Sequence, residues 1–430
     1  MNNKRPMGFF SVVAIGIGGM VGGGIFAVLG LAVELSRGGT SLAFSIAGIV
    51  ALITSYSYAK LSVTYPSQGG TVEFLNQGFG PGLLTGGLNI LLWISYIVML
   101  SLYAYAFGSY GANFFPIELQ PYYKHILMSG VIIVFTLING MGANFVGKTE
   151  EYIVGLKIAI LSFFIIVGFW SINPQRLQTS TWSSIPQLIA GGMIIFLAYE
   201  GFELIANTAC DVKNPKKSLP RAYYTSVIFV IILYVLISIV TVGNLSITDI
   251  INAKDYALAE SAKPFLGNLG FVMIAIAALL STSSAINATL YGTARVSYII
   301  AKDGELPSTL EKKVWNRPLE GLIITAVVAL IIVNLFNLSS ISVMGSTGFL
   351  IIFAAVNASN SILHKSTKSK KLISLLGTIV CIFALLALIW ERAATSWKDI
   401  IIVLVMIISA FSIEVINRRI KSRIIKPFFK

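Results

Sequence analysis

Long uninterrupted blocks of apolar residues dominate this sequence and constrain its fold more than any other feature. Hydrophobic residues make up 56% of the 430 residues and charged residues only 11%, whereas a soluble domain carries about 25% charged residues. A helix needs roughly 20 apolar residues to cross a hydrocarbon core of about 30 Å. Because the blocks reach that length, the sequence predicts an all-α protein that crosses the membrane many times.

The apolar blocks divide into twelve predicted membrane-spanning helices within one domain that covers residues 1–430. No linker rich in glycine, serine or proline is long enough to separate two domains. The predicted spans are residues 8–34, 40–64, 82–111, 124–144, 151–171, 186–209, 222–244, 268–299, 319–337, 340–363, 371–390 and 398–417. Residues 418–430 form a basic tail, which we interpret as a cytoplasmic stop signal rather than a lipid-binding patch.

Lysine and arginine residues are distributed unevenly between the two sides of the membrane. Twelve spans place both termini on one side, and 23 of the 31 basic residues fall on that side. Seven fall on the other side, and Lys157 is left within the membrane. Because cytoplasmic loops carry an excess of basic residues, we expect both termini in the cytoplasm and the protein in the cell membrane. Placement in short loops also argues against nucleic-acid binding.

Residues that hold metals or build catalytic centres are scarce in this chain. Cys210 and Cys381 lie far apart in separate apolar blocks, and His125 and His364 fall at span ends. The sequence contains neither the H-E-x-x-H motif of zinc proteases nor the G-x-S-x-G motif of hydrolases. We therefore predict that the protein is not an enzyme and holds no metal or cofactor, and we expect no obligate protein partner besides the lipid bilayer.

The first predicted span contains six glycines within the nine residues from Gly16 to Gly24. Each glycine costs about 1 kcal/mol relative to alanine inside a helix, so a continuous helix is unfavourable here. We predict an unwound stretch, whose free N–H groups attract an anion and whose free carbonyl groups attract a cation. An α-amino acid offers both charges close together. The alternative is a glycine face that packs closely against neighbouring helices.

The sixth predicted span carries a second irregularity, where Glu200, Gly201 and Glu203 interrupt an apolar run at mid-depth. An ionisable group costs roughly 2.5–3.5 kcal/mol at the centre of a bilayer, so each carboxyl requires a cavity or a partner. The two irregular spans are five helices apart, which is the spacing expected of an inverted-repeat transporter with its substrate between two broken helices. No residue-level repeat relates the halves, so this prediction rests on the break positions.

Lys157 is a lone basic residue about a turn and a half inside the fifth span. A desolvated amine at this depth can bind and release a proton during a transport cycle. The alternative is a lysine that snorkels to the cytoplasmic interface. The eighth span adds hydroxyl groups at Ser281–Ser284, most of which we expect to bond within their own helix. One or two could instead face the first break and coordinate sodium or accept a hydrogen bond from Lys157.

Several motifs resemble those of the amino acid–polyamine–organocation superfamily of transporters, and the similarity runs over essentially the whole chain. The most specific motifs are Gly22-Gly23-Gly24-Ile25-Phe26, Tyr65-Pro66-Ser67-Gln68-Gly69-Gly70, Gly201-Phe202-Glu203, Asp211-Val212-Lys213-Asn214-Pro215-Lys216-Lys217 and Pro220-Arg221-Ala222. Residues 263–270 and 301–307 are similar to the archaeal proton-coupled members of the superfamily.

The resemblance implies a LeuT-like fold, with inverted five-helix halves at residues 8–171 and 186–363 and two further helices at residues 371–417. It implies a proton-coupled, sodium-independent importer of L-amino acids that works by alternating access. The implied substrate-binding residues are Val21, Gly22, Gly23, Gly24, Ile25, Phe196, Tyr199, Glu200 and Phe202, the last as an aromatic gate. Lys157 matches the proton-coupling lysine of the archaeal members, with Gly18 and Ser283 as its neighbours.

Glu200 departs from the archaeal pattern, which has an apolar residue at this position. A carboxylate beside the substrate's side chain would favour cationic amino acids or carry a proton itself. In the alternative interpretation, Glu200 turns away from the pocket and pairs with a hydroxyl or backbone group. Val72 and Phe74 also replace tyrosines that are frequent in the superfamily. An amino-acid exchanger without net proton coupling is the alternative function, and a transporter-like nutrient sensor is a more distant one.

Overall fold

The computed structural model describes residues 6–141, 148–306, 310 and 319–420, without the side chains of residues 148–151 and 420. Regular secondary structure in this part of the chain is helical, apart from isolated β-bridges between Met7 and Val212 and between Arg37 and Trp182. The end of predicted span 4 at residue 144 and residues 421–430 of the predicted tail lie outside the described residues.

Sixteen α-helices follow one another along the described chain. They are α1 (Phe9–Met20), α2 (Gly24–Ser36), α3 (Thr40–Thr64), α4 (Thr71–Phe79), α5 (Leu83–Ala112), α6 (Gln120–Met141), α7 (Lys148–Phe169), α8 (Ile185–Ile194), α9 (Pro215–Asn244), α10 (Ile247–Asn252), α11 (Ala257–Glu260), α12 (Lys263–Lys302), α13 (Leu319–Leu335), α14 (Leu338–Ile362), α15 (Lys371–Thr395) and α16 (Trp397–Ile420). Two 3-10 segments, Phe196–Tyr199 and Phe202–Asp211, continue the chain beyond α8.

Nine helices of the described chain are long and apolar enough to cross a membrane: α3, α5, α6, α7, α9, α12, α14, α15 and α16. Two further spans each consist of two helical pieces joined at a bend. Phe9–Met20 meets Gly24–Ser36 at 45°, and Ile185–Ile194 meets Phe196–Asp211 at 50°. The helix α13 is shorter, at 17 residues. The prediction of an all-α protein with many membrane spans is therefore confirmed at nine to eleven spans, and both predicted interruptions are present.

The helices differ in how deeply they are buried, which separates a centre from a periphery. In α5 and α14, 83% of the apolar window is buried, whereas in α15 and α16 the buried share is 28%. The peripheral helices expose large apolar side chains such as Leu372, Trp390 and Trp397. An apolar exterior is the surface expected in lipid, where the driving force for burying such groups is absent. The two bent spans lie against the buried helices, so both breaks are inside the bundle.

Candidate functional site

The first bent span is interrupted at Val21–Gly23, directly after α1 and before α2. The N-cap of α2 is Gly23, which has no side chain to cap the helix, and the first N–H groups of α2 have no acceptor within their own helix. Carbonyl groups of the break itself accept hydrogen bonds from Ser281 of α12. Its Oγ lies 2.8 Å from the Val21 carbonyl oxygen and also contacts that of Gly22. The break therefore presents N–H groups and carbonyl groups side by side.

The second bent span is interrupted where α8 ends at Ile194 and the chain continues as 3-10 turns. Serines of α14 satisfy the backbone groups freed there, because Ser342 and Ser346 both donate to the Ile194 carbonyl oxygen, at 2.7 and 2.9 Å. The Ser346 Oγ also accepts a hydrogen bond from the Leu197 N–H at 3.2 Å. Gly201 completes the break with φ of +118°, a conformation that L side chains rarely adopt.

Tyr234 of α9 ties the two breaks to each other. Its hydroxyl lies 2.7 Å from the carbonyl oxygen of Met20, the last residue of α1. The same hydroxyl lies 3.2 Å from the carbonyl oxygen of Ala198 in the second break. A phenol has one proton to donate, so the two carbonyls share it. The buried hydroxyl thus links the break of the first bent span to the break of the second.

Lys157 of α7 also contacts the first bent span, at Gly18. Its Nζ donates to the Gly18 carbonyl oxygen at 3.2 Å, and the whole residue is only 2% exposed. The amine is therefore buried inside the helical bundle, near the end of α1. Gly18, which the sequence analysis names as a neighbour of Lys157, supplies the accepting carbonyl, and its role in proton coupling stays a prediction. Ser283 is only partly buried, and the hydroxyl that bonds to the break belongs to Ser281, two residues earlier.

Glu200 and Glu203 form a buried pair at the second break, with 3% and 1% of their surfaces exposed. Their carboxyl groups lie close enough to interact with each other. Glu203 also accepts from the Tyr96 hydroxyl at 3.2 Å and from the Gly201 N–H at 2.7 Å. Glu203, rather than Glu200, is therefore the residue that pairs with a hydroxyl and a backbone group. Two ionised carboxylates at this separation would repel each other, and a proton on one of them would relieve the repulsion.

The three predicted aromatic site residues contact α3, α9 and α14. The Tyr199 hydroxyl donates to the Phe44 carbonyl oxygen at 2.8 Å, and its ring lies 5.2 Å from that of Tyr234. The Phe202 ring is fully buried, 5.2 Å from the ring of Phe353. Phe196 lies 5.8 Å from the same ring. Their roles at a substrate, including the aromatic gate at Phe202, stay predictions.

Three tyrosines at the breaks escaped the sequence analysis. Tyr96 and Tyr103 lie seven residues apart on one face of α5, and Tyr234 lies on α9. Tyr103 borders the first break, since a Cβ added at Gly22 would lie 3.4 Å from its hydroxyl oxygen. A seven-residue spacing of tyrosines in an apolar helix was the available signal for the α5 pair. Among the described residues, no group of three or more His, Cys, Asp and Glu side chains is arranged to hold a metal.

Comparison of the sequence with known proteins identifies its family. The family model of amino acid permeases matches residues 7–411. An uncharacterised protein of Methanocaldococcus jannaschii is 35% identical over 98% of this chain and 97% of its own. The inner membrane transport protein YbaT of Escherichia coli is 33% identical over 98% of both chains. The branched-chain amino acid permease BcaP of Lactococcus lactis is 28% identical over 80% of this chain and 78% of its own. The chain belongs to the amino acid permease family, whose members are membrane transporters and not enzymes.

Proposed function

We propose that this transporter imports L-amino acids together with protons, without sodium, by alternating access. The observation that carries the proposal is the buried Lys157 amine at 3.2 Å from the Gly18 carbonyl oxygen. A protonated amine there places a positive charge beside the carbonyl end of α1, where the helix dipole is negative. A coupling cation such as sodium would take the same kind of position. Because the protonated amine supplies that positive charge, the proposed transport does not need sodium.

Loss of the proton would weaken this contact and thereby couple proton release to movement of α1. A neutral amine still donates a hydrogen bond, but it no longer interacts with the dipole as a charge. The position of α1 and the protonation of Lys157 are therefore linked, and the linkage acts in both directions. A proton that binds on one side of the membrane and leaves on the other would bias the breaks between their two orientations.

An amino acid fits between the two breaks in one orientation. Its carboxylate would face the uncapped N–H groups that begin α2 at Gly24, where the helix dipole is positive. Its ammonium group would face the carbonyl oxygens of Met20, Val21 and Ala198, which the hydroxyls of Ser281 and Tyr234 contact in this structure. Backbone groups of two separate helices would thus recognise the part that all α-amino acids share.

Contacts between helices support a LeuT-like inverted repeat of twelve spans, with α13 as one of them. A shift of five spans relates α1 and α2 to α8 with its 3-10 turns, α3 to α9, α5 to α12, α6 to α13 and α7 to α14. Three of these related pairs contact each other directly: α3 with α9, α5 with α12 and α6 with α13. The contacts of α1 with α7 and α9 correspond to those of α8 with α14 and α3. An odd number of spans per half makes the second half enter the membrane from the opposite side.

Hydrogen bonds made by side chains also repeat after a shift of five spans. On α7, Lys157 donates to a carbonyl near the end of α1, and on α14, Ser342 and Ser346 donate to the last carbonyl of α8. In each half, the fifth span therefore hydrogen-bonds to the end of the first helical piece of the first span. Lys157 in the first half thus corresponds to the hydroxyl groups of Ser342 and Ser346 in the second half.

We further propose that both termini are cytoplasmic and that the protein lies in the cell membrane. The distribution of basic residues supports this orientation. The Escherichia coli relative is named as an inner membrane transport protein, which agrees with the location. Amino acid, proton and lipid are the partners that this function requires.

The proposal is tested by uptake of radiolabelled L-amino acids into proteoliposomes, with and without an inward proton gradient and with and without sodium. The wild type is expected to accumulate substrate with the gradient alone. Lys157→Ala is expected to lose accumulation while retaining exchange of internal for external substrate. Lys60→Ala removes a lysine at the end of α3 and serves as the matched control.

Three results would overturn parts of this proposal. Accumulation that survives Lys157→Ala would make Lys157 structural and direct the search to Glu200 and Glu203. A requirement for sodium would overturn the proton coupling. Counterflow that needs substrate on the far side but no proton gradient would identify an exchanger instead.

A further inference from the structure

We propose that Glu200 and Glu203 form an acid pair that exchanges one shared proton for the cationic side chain of a basic amino acid. Arginine and lysine would then be substrates, and their binding would release a proton that the binding of neutral amino acids does not release. The inference rests on the proposed function, because it assumes an amino acid bound between the two breaks. It concerns the substrate's side chain and does not depend on the coupling role of Lys157.

The hydrogen bonds of the pair indicate which carboxyl holds the proton. Glu203 accepts hydrogen bonds from the Tyr96 hydroxyl and the Gly201 N–H, two donors that stabilise a carboxylate. The polar interaction described for the Glu200 carboxyl is with Glu203. The proton therefore belongs on Glu200, which donates it to the charged carboxylate of Glu203. The pair then carries one negative charge in a region where both residues are almost fully buried.

The surroundings of the pair supply tyrosines from three helices. Tyr58 of α3, Tyr96 and Tyr103 of α5 and Tyr223 of α9 all lie within electrostatic range of one or both carboxyls. The Lys157 amine donates to the Gly18 carbonyl oxygen of the first bent span. Tyrosine hydroxyls are neutral hydrogen-bonding groups, so they leave the negative charge of the pair in place for a cation.

Tyr103 connects the pair to the first break. A Cβ added at Gly23 would lie 3.1 Å from Cε1 of its ring, so the ring stands directly against the backbone there. Tyr103 lies close enough to Glu200 for the two side chains to interact. A substrate held by its ammonium and carboxylate groups at the breaks would extend its side chain along this ring towards Glu200. Lysine and arginine side chains are long enough to pass a tyrosine ring and remain apolar along their stems.

Either a proton or a cationic side chain can relieve the repulsion between the two carboxylates of this pair. Two adjacent carboxylates repel each other unless a proton or a cation lies between them. When a guanidinium or ammonium group enters, Glu200 can ionise, and its proton leaves to the water on the open side of the transporter. The pair changes from one negative charge to two while the substrate adds one positive charge, so the net charge of the occupied pair stays at minus one. A guanidinium can donate to both carboxylates at once.

The test compares L-arginine with L-citrulline, which has the same length but a neutral end group. Binding to the purified full chain is measured by titration calorimetry in two buffers of different ionisation enthalpy, so that released protons are counted. The wild type is expected to bind arginine at least about tenfold more tightly than citrulline, as charge-assisted hydrogen bonds would provide. Arginine binding is expected to release up to one proton, and citrulline binding none.

Three variants complete the experiment. Glu200→Gln is expected to remove the proton release and most of the preference for arginine, whereas Glu200→Asp, which keeps a carboxyl, retains the release. Glu118→Gln changes an exposed glutamate and is expected to behave as the wild type. Thermal unfolding of each purified variant shows that it is folded. Lys157→Ala is expected to keep the arginine-linked release even where its gradient-driven transport is lost, which separates this inference from the proton coupling.

Other results would overturn the acid pair. A wild type that binds citrulline as tightly as arginine, or that binds citrulline but not arginine, excludes a cation site. Proton release that persists in Glu200→Gln would show that the proton comes from another group. If the protein binds neither ligand nor any other amino acid, the proposed function fails together with this inference.

Discussion

The backbones of Gly19 and Gly201 lie directly against each other where the two bent spans cross. A Cβ at Gly19 would be 2.8 Å from the Gly201 carbonyl oxygen and 2.9 Å from its Cα, closer than real side chains approach. The predicted unwinding of the first span and the alternative of a close-packed glycine face are therefore both present, in neighbouring residues. Because the contact is between backbones, a displacement of one break is transmitted to the other.

We expect Gly19→Ala to impair transport severely. The added methyl group meets backbone atoms that cannot rotate away, and overpacking of this kind typically costs about 1–3 kcal/mol. Uptake into proteoliposomes should fall at least about tenfold, and the melting temperature should decrease. In Gly292→Ala, the matched control on α12, the methyl group meets nothing within 4 Å. That variant should be stabilised by up to about 1 kcal/mol. Equal uptake by both variants would contradict the tight contact.

We expect Tyr234→Phe to weaken the link between the breaks. The substitution removes the one donor that the Met20 and Ala198 carbonyls share, and an unsatisfied buried polar group costs about 1–3 kcal/mol. The melting temperature and the maximal rate of uptake should both fall. Tyr223→Phe is the control, because its hydroxyl bonds to Ser62, at 2.9 Å. If Tyr223→Phe were the more damaging for transport, Tyr234 would not be the connecting residue.

We expect Ser281→Ala to impair substrate uptake more than Ser283→Ala. The Ser281 hydroxyl contacts the carbonyls of Val21 and Gly22 at the first break. Removing it leaves those carbonyls without that donor and alters the surface that faces the substrate's ammonium group. Uptake should show a Michaelis constant raised at least about threefold, as for a lost hydrogen bond of roughly 1 kcal/mol. The reverse order of the two variants would support the role that the family resemblance implies for Ser283.

We expect stability to decrease as the pH rises towards about 8, because of Glu305 in the chain beyond α12. Burial raises the pKa of the Glu305 carboxyl from 4.5 to about 8, although Asn89 donates a hydrogen bond to it at 2.6 Å. An acid whose pKa is raised by folding stabilises the protein fully below its unfolded pKa, and this contribution is lost as the pH passes the folded value. The melting temperature should therefore fall between about pH 5 and pH 8.5.

Glu305→Gln tests this assignment, since an amide resembles the protonated carboxyl in shape and charge. The decrease in melting temperature between the two pH values should be smaller in this variant than in the wild type. Glu118→Gln, at an exposed position, should leave the decrease unchanged. An identical pH dependence in the wild type and Glu305→Gln would assign the effect to other groups.

Local features of the sequence predicted the helices and the positions of both breaks. Apolar blocks of about 20 residues have few alternatives to spanning a membrane, because every backbone group must be satisfied inside the lipid. The glycines from Gly16 to Gly24 and the polar residues around Gly201 raise the local cost of a continuous helix. These costs depend on neighbours in the sequence, so they could be evaluated without any tertiary contact. The same holds for Lys157, which stands out as a lone charge.

The partners of the polar side chains were decided only by tertiary structure. Ser281 and Ser283 lie on different faces of α12, since successive helical residues are about 100° apart. The break that Ser281 contacts is 260 residues away. Glu200 and Glu203 have the three-residue spacing that brings side chains together on a continuous helix, but the positive φ of Gly201 interrupts the helix between them. The spacing alone therefore did not predict that their carboxyls meet. The sequence by itself determined where the chain must break, because that cost is local. Which side chains close the breaks depended on packing between distant helices.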